Sequence, residues 1–293
     1  EEFPDTPVQL SRHAVAGICR RASLPTSGAP PVGLSPRTVR YIHTILHAAL
    51  RDALRWNRVV RNVADAATPP PVSAATAAPA TTWTAAELKS FLDYVAENRN
   101  LPAWIFLATA ACRRGEALGL HWRDVDLDAG LATLRWQVTS VRHQIVVKER
   151  TKTGRGHVIR LDSPTVAMLR SWKARQAEER LFLGPAYEDN DYVFCRGDGR
   201  PHHPDRFSRE FERNQRYYNR DHPDAPLPII KLHGLRHTWA TLALLAGIDI
   251  KIVSDRLDHS STQVTQEIYT HVTPPMQSDA AEKVADAIFG PQR

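Results

Sequence analysis

Apolar positions recur at helical spacing near both ends of the chain and switch to strand spacing in the middle. Val39, Ile42, Leu46, Ala49 and Ala53 stand three or four apart behind Ser35-Pro36, an N-cap followed by a proline suited to the first helical turn. They predict an amphipathic helix with Arg37, Arg40, Arg51 and Arg55 elsewhere on its surface. Thr84-Ala-Ala-Glu87 has the form of a capping box and predicts a helix through about Glu97. A more apolar helix is expected from Leu101 to about Leu120, its apolar character interrupted by Arg113, Arg114 and Glu116. Between Leu131 and Leu161 the period changes. Thr133, Leu134, Trp136, Val138, Val141, Ile145, Val146 and Val147, then Val158 and Ile159, read as β-strands, with Thr151 to Gly156 as the turn between the last two. From Ser163 the pattern is helical again, broken at Gly184-Pro185, at Gly197 to Pro204 and at Asp221 to Pro228.

The segment Pro69 to Thr82 carries no charge and little bulk to bury, which predicts a linker. The expected fold is therefore mainly α with a small antiparallel β-sheet: a helical domain over 1–68, a linker over 69–82 and a second domain over 83–293.

A length of 293 residues suits about two domains. Charge is unevenly spread: residues 1–82 hold nine arginines, no lysine and five acids, a net of +4 out of the chain's +6. A polyanionic partner for the N-terminal part follows more readily than an acidic small substrate. Cys19, Cys112 and Cys195 are widely separated, which argues against a disulfide framework and a zinc ribbon and fits a reducing cytosol. The longest apolar stretch, Leu101 to Cys112, is too short to cross a bilayer, and Glu1-Glu2-Phe3 lacks the marks of a signal peptide.

Candidate chemistry concentrates in a few places. Arg113 stands among apolar residues, where a guanidinium needs a partner or a ligand, and an ion pair with Glu116 is the plain reading. His233 and Arg236 are three apart and on one helix would face the same way. His237 reads as a hydrogen-bonded core histidine, followed by an apolar helix that ends at Gly247. His259 stands at a helix end with Ser260-Ser261 as the next cap, and Tyr269 lies ten residues beyond it. Lys152 falls in the expected strand-to-strand turn, where most lysines only solubilise, and Lys148 is its competitor if the register differs.

His233-Gly-Leu-Arg236-His237, Leu257-Asp258-His259-Ser-Ser and Ile268-Tyr269-Thr-His271, with Arg113-Arg114-Gly-Glu116 and Lys152-Thr-Gly upstream, resemble the tyrosine recombinase (phage integrase) family. The resemblance is clear over about the last two thirds of the chain. It implies that Arg113 and Arg236 hold the scissile phosphate, that His233 and His259 complete the clamp, that Lys152 protonates the leaving 5′ oxygen, and that Tyr269 is the nucleophile. It implies no cofactor and no metal. It further implies a core attachment site in double-stranded DNA as partner, a homotetramer on paired sites, accessory DNA-bending proteins, and a C-terminal helix at 280–289 for contact with a neighbouring subunit. Two departures stand out: Ala110-Ala111-Cys112 replaces the family's threonine-glycine-apolar run, and Asp258 replaces a glycine. Too few residues precede Ser35 for a full core-binding domain, so that domain is expected to be partial, the chain truncated and Glu1-Glu2-Phe3 a cloning remnant.

Three rival readings differ in class. His233 and His237 could be zinc ligands, though the glutamate of a His-Glu-x-x-His arrangement is missing. The fold could serve a non-catalytic DNA-binding regulator, or the chemistry could relax supercoils as in a type IB topoisomerase.

Overall fold

The computed structural model describes residues 33–75, 80–149 and 156–259, together with Thr262 and Thr265. The chain divides into two compact units, with the boundary between Ala78 and Pro79.

In the first unit α1 spans Pro36–Arg55, and the Ser35 hydroxyl caps it by accepting from the Thr38 N–H. A following stretch returns along it. His43 bonds the Ala64 carbonyl at 3.1 Å, His47 meets Asp65 at 2.8 Å, and Arg40 donates to the Pro70 carbonyl at 2.6 Å. No described residue of α1 is fully buried, and Ile42, Ile45 and Leu46 remain exposed.

The second unit begins with α2 (Ala85–Tyr94), whose capping box from Thr84 and Glu87 is present. The helix ends three residues before the expected Glu97. The expected long helix over 101–120 is two: α3 (Leu101–Ala110) and α4 (Arg114–Leu118), separated by Ala111 in left-handed backbone at φ 56°. The apolar run told of burial but not of this break, because alanine is an ordinary helix former and only tertiary contacts hold it left-handed.

Strands β1 (Val125–Asp126), β2 (Leu131–Leu134) and β5 (His157–Arg160) form one antiparallel sheet in the order β1-β2-β5. β3 (Trp136–Val141) and β4 (Gln144–Glu149) form a separate hairpin. The strands lie where the alternation placed them, yet among the described residues β4 pairs with β3 and β5 with β2, Leu131 facing Arg160, and not with each other as expected; the turn expected at 151–156 lies outside the described residues but for Gly156. Periodicity marks strands but not partners, and β5 finds its hydrogen bonds across the β3–β4 excursion.

Helices α5 (Ser163–Leu183), α6 (Pro204–Asp221), α7 (Gly234–Leu245) and α8 (Ile250–Arg256) follow. The main core joins them through Trp83, Phe91, Trp104, Phe207 and Phe211, all nearly solvent-free. A smaller core of Ala111, Ala240, Ala243, Leu244, Val253 and Leu257 packs α7 and α8 against the turn at Ala111. Two glycines seat α4 on β3: a Cβ at Gly115 would stand 2.7 Å from the Val138 oxygen, and one at Gly119 2.8 Å from Trp136 backbone. Their lack of a side chain is what lets the helix bearing Arg113 lie against the hairpin.

Candidate active site

Two left-handed turns frame the site. At the first, fully buried Ala111 adopts φ 56° and ψ 20°, a conformation that costs an L-residue about 1–2 kcal/mol. Its carbonyl accepts from Arg236 Nη1 at 2.8 Å. Two residues on, Arg113 is the N-cap of α4 with an extended backbone. The Glu116 carboxylate, only 2% exposed, takes both the Arg113 backbone N–H and Nη1, each at 2.9 Å. The ion pair read from the sequence therefore exists, and it orients the guanidinium. Arg114 points elsewhere, donating to Ser208 Oγ at 2.8 Å and to the Pro204 carbonyl at 3.2 Å.

At the second turn, which ends α8, Asp258 has φ 50°. Its carbonyl accepts from Arg113 Nη2 at 3.3 Å, and its carboxylate lies 3.4 Å from Arg113 Nη1. Arg236, 4% exposed on the first turn of α7, donates to the Leu257 carbonyl as well as to Ala111. One guanidinium thus staples both turns, which satisfies two carbonyls that burial would otherwise leave unpaired.

His233 is the N-cap of α7, and its ring stands perpendicular to that of His237 at 4.9 Å. His259 follows the second turn. Its backbone N–H donates to the Ser254 carbonyl at 3.1 Å, and its Nδ1 pairs with the hydroxyl of fully buried Thr265 at 2.8 Å. That bond fixes the ring's orientation and leaves Nε2 as the outward nitrogen. The structure therefore brings Arg113, His233, Arg236 and His259 together. A cleft of about 470 Å³ runs from Arg113 and His233 past Gln137 and Ser208 to Lys231.

The electrostatics agree with an anion site. Desolvation, then His237, Arg236, Arg113 and His259, hold the His233 imidazolium down to about 4. His233 is exposed to solvent, which weakens the desolvation cause, and the neighbouring cationic groups act in the same direction, so the ring is held toward its neutral form. His259 is likewise depressed to about 4, by desolvation and then by Arg236, Arg113 and His237, and His237 is lowered by desolvation and Arg236. A bound anion would oppose the cationic contribution at each ring. The Cys112 thiol, beside the same turn, is pushed up by burial and stays protonated.

Lys152 and Tyr269 lie outside the described residues, as do Ser260, Ser261 and the expected helix at 280–289. Lys148 is exposed on β4 and pairs with Gln137 of β3. For the zinc reading, three protein ligands are the usual minimum. Among the described residues no group of three or more His, Cys, Asp or Glu side chains could hold a metal ion.

Residues 82–275 match the model of the phage integrase family. The chain belongs to this family. It is 27% identical over 217 residues to a XerC-like tyrosine recombinase of Caldanaerobacter subterraneus subsp. tengcongensis, covering 70% of this chain and 54% of that protein. It is 27% identical over 260 residues to the ICEBs1 integrase of Bacillus subtilis, covering 87% of this chain and 67% of that one. The chain thus spans about half to two thirds of these relatives' length. In fold it is similar to the Tn1549 transposon integrase in complex with a circular intermediate DNA, with TM-score 0.70 and 19% identity over 94% of this chain and 95% of that chain. A lambda integrase dimer bound to a COC' core site is also similar, with TM-score 0.52 and 16% identity over 87% of this chain and 90% of that one.

For this integrase-family chain the two departures become interpretable. Ala111 and Asp258 occupy the two glycine positions of the family pattern and take the left-handed backbone such positions serve. The sequence flagged both. What it did not reveal is that the Asp258 carboxylate faces Arg113, that Thr265 holds His259, or that Arg256 links the end of α8 to the last turn of α3 and to β5.

Proposed function

We propose that the chain is a site-specific DNA recombinase or integrase, cleaving and rejoining strands through a 3′-phosphotyrosyl intermediate to integrate or excise a mobile element. The observation that carries this reading is the pair of guanidiniums, Arg113 and Arg236, set by the same two turns beside imidazoles held toward their neutral form. Such an array suits an anion that gains negative charge during reaction, because preorganised donors stabilise that charge without reorganising.

In the proposed reaction the Tyr269 hydroxyl oxygen attacks phosphorus and the bond from phosphorus to the 5′ oxygen breaks. His233 takes the tyrosine proton as general base. Lys152 gives a proton to the departing 5′ oxygen. The phosphotyrosine conserves the energy of the phosphodiester, so a 5′ hydroxyl from another duplex can reverse the step without ATP. His259 donates from Nε2 toward the phosphate, with Thr265 on the other nitrogen. The partner is double-stranded DNA at a core attachment site, approached by the basic α1 region as well as the catalytic unit. A homotetramer on paired sites, accessory DNA-bending proteins and a place at the nucleoid of a prokaryotic cytoplasm belong to the same proposal.

The test is covalent trapping. The protein and its Tyr269→Phe variant are incubated with nicked suicide duplexes drawn from DNA flanking the gene, and SDS-resistant adducts are sought. An adduct formed only by the tyrosine protein, mapping to the peptide with Tyr269, supports the reading. DNA binding by both without an adduct on any fragment favours a regulator of the same fold. An adduct that relaxes supercoils but never exchanges strands favours a topoisomerase.

A further inference from the structure

Arg256, the last residue of α8, has no part in the proposed chemistry, yet its guanidinium is half-buried against three neighbouring segments. Nη1 donates to the Arg160 carbonyl at 2.6 Å and Nη2 to the Thr109 carbonyl at 3.3 Å, while the group lies over the Trp239 ring, 5.8 Å from its centroid. Its own carbonyl pairs with His157 Nε2 at 3.3 Å. Its buried Nε has no hydrogen-bond partner.

These contacts reach three segments. Thr109 lies in the last turn of α3, whose terminal carbonyls have no partner within the helix, and it precedes Ala111 and Arg113. Arg160 and His157 are the two ends of β5, the strand that follows Lys152 by five residues. Arg256 itself precedes Leu257, Asp258 and His259. Arg236 ties the Ala111 and Leu257 carbonyls, and Arg256, two residues before Asp258, ties the end of α8 to the last turn of α3 through the Thr109 carbonyl and to β5 through the Arg160 carbonyl. A partly buried guanidinium whose Nε is sealed from water without a partner is a costly way to fill space, since an apolar side chain of similar length would pack there without losing hydration. Its advantage is geometric: a rigid fork fixes two carbonyls at a set separation, which a flexible single-point ammonium does not.

We propose that Arg256 is a positioning residue that sets the spacing between the end of α3, which leads to Arg113, the end of α8, which leads to His259, and β5, so that the clamp is formed before DNA arrives. This inference rests on the recombinase reading for its catalytic consequence but not for its structural one. Displacement of a catalytic group by about 1 Å can cost as much as ~100-fold in rate.

The experiment compares the full chain with Arg256→Lys, which keeps the charge but has no planar fork to hold the two carbonyls on separate nitrogens, and Arg256→Met, which keeps an unbranched apolar stem and removes both bonds. Three quantities are read: the single-turnover rate of covalent adduct formation on the nicked duplex that traps the unmodified protein, the Kd for that duplex in the Tyr269→Phe background, and the His259 imidazole carbon–proton NMR signal in the DNA-free protein. Expected are a rate lowered by about 10-fold or more in Arg256→Lys and further in Arg256→Met, a Kd within about 2-fold, and a displaced His259 signal. If Arg256→Met does not fold, Arg256→Lys carries the test. A wild-type rate in Arg256→Lys, a loss of rate matched by a loss of affinity, or an unmoved His259 signal overturns the assignment. Absence of any adduct from the unmodified protein counts against the recombinase reading instead, and the His259 signal, which needs no DNA, still decides the role of Arg256.

Discussion

Replacing Asp258 by Asn removes one negative charge from beside Arg113 while keeping the shape of the side chain and a residue type that tolerates left-handed backbone. The carboxylate lies 3.4 Å from Arg113 Nη1, and the two side chains retain 37% and 42% of their surface. At that exposure the pair contributes about 0–1 kcal/mol to folding, so stability should change by less than ~1 kcal/mol. A phosphate seated on Arg113 meets the same carboxylate as a like charge. Two unit charges ~4 Å apart interact by about 1 kcal/mol in water and about 4 kcal/mol at an effective dielectric of ~20. Half-exposed groups lie toward the lower figure, about 1–2 kcal/mol, which is about 5- to 30-fold in affinity or rate. The assay is the Kd for a core duplex in the Tyr269→Phe background, paired with adduct formation in the tyrosine protein, each at about 50 and about 200 mM salt. Asp258→Asn should bind and cleave more strongly than the unmodified chain, with the larger gain at low salt. Asp258→Gly should do the same and add up to ~1 kcal/mol of stability by relieving the backbone at φ 50°. Unchanged binding and cleavage at low salt in both variants would refute the idea that Asp258 opposes the phosphate.

Thr265→Val keeps the shape of a buried side chain but removes the 2.8 Å partner of His259 Nδ1, and should slow adduct formation about 10-fold with little change in DNA affinity, as outer partners of functional imidazoles generally do. An NMR titration of the DNA-free protein should find His233 and His259 titrating near 4, and DNA should raise both. Because these folded values are depressed, the unfolded chain binds protons first as pH falls, so their stability contribution is present above the ordinary histidine value of ~6.5 and is lost between there and about 4. Urea unfolding at pH 7 and pH 5 checks the sign. Phe211→Ala should cost about 3–5 kcal/mol by urea unfolding, since its ring is fully buried against Trp83, Phe91 and Trp104.

Much of this was legible in the sequence because it depends on local rules. Ser35-Pro36 and Thr84 to Glu87 name helix starts whose caps form within four residues, and the alternation from Leu131 to Leu161 names strands because burial of one face imposes a period of two. The resemblance placed Arg113, His233, Arg236 and His259 in one reaction, and these four converge. Three features needed the tertiary structure. Ala111 turns left-handed because its carbonyl is claimed by an arginine 125 positions away and its methyl by a small core of distant alanines and leucines, so no local propensity could have broken the helix there. β5 joins β2 instead of β4, since strand pairing is settled by which edge lies free and not by nearness in the chain. The charge state of the site is likewise collective: a histidine's ordinary value says nothing of two guanidiniums and other imidazoles folded around it, and it is partial burial beside those cationic groups that favours the neutral rings. The sequence alone determined which side chains the chemistry has at its disposal and which segments become helices and strands, while only the tertiary structure decided how far apart those side chains stand and what charge they carry.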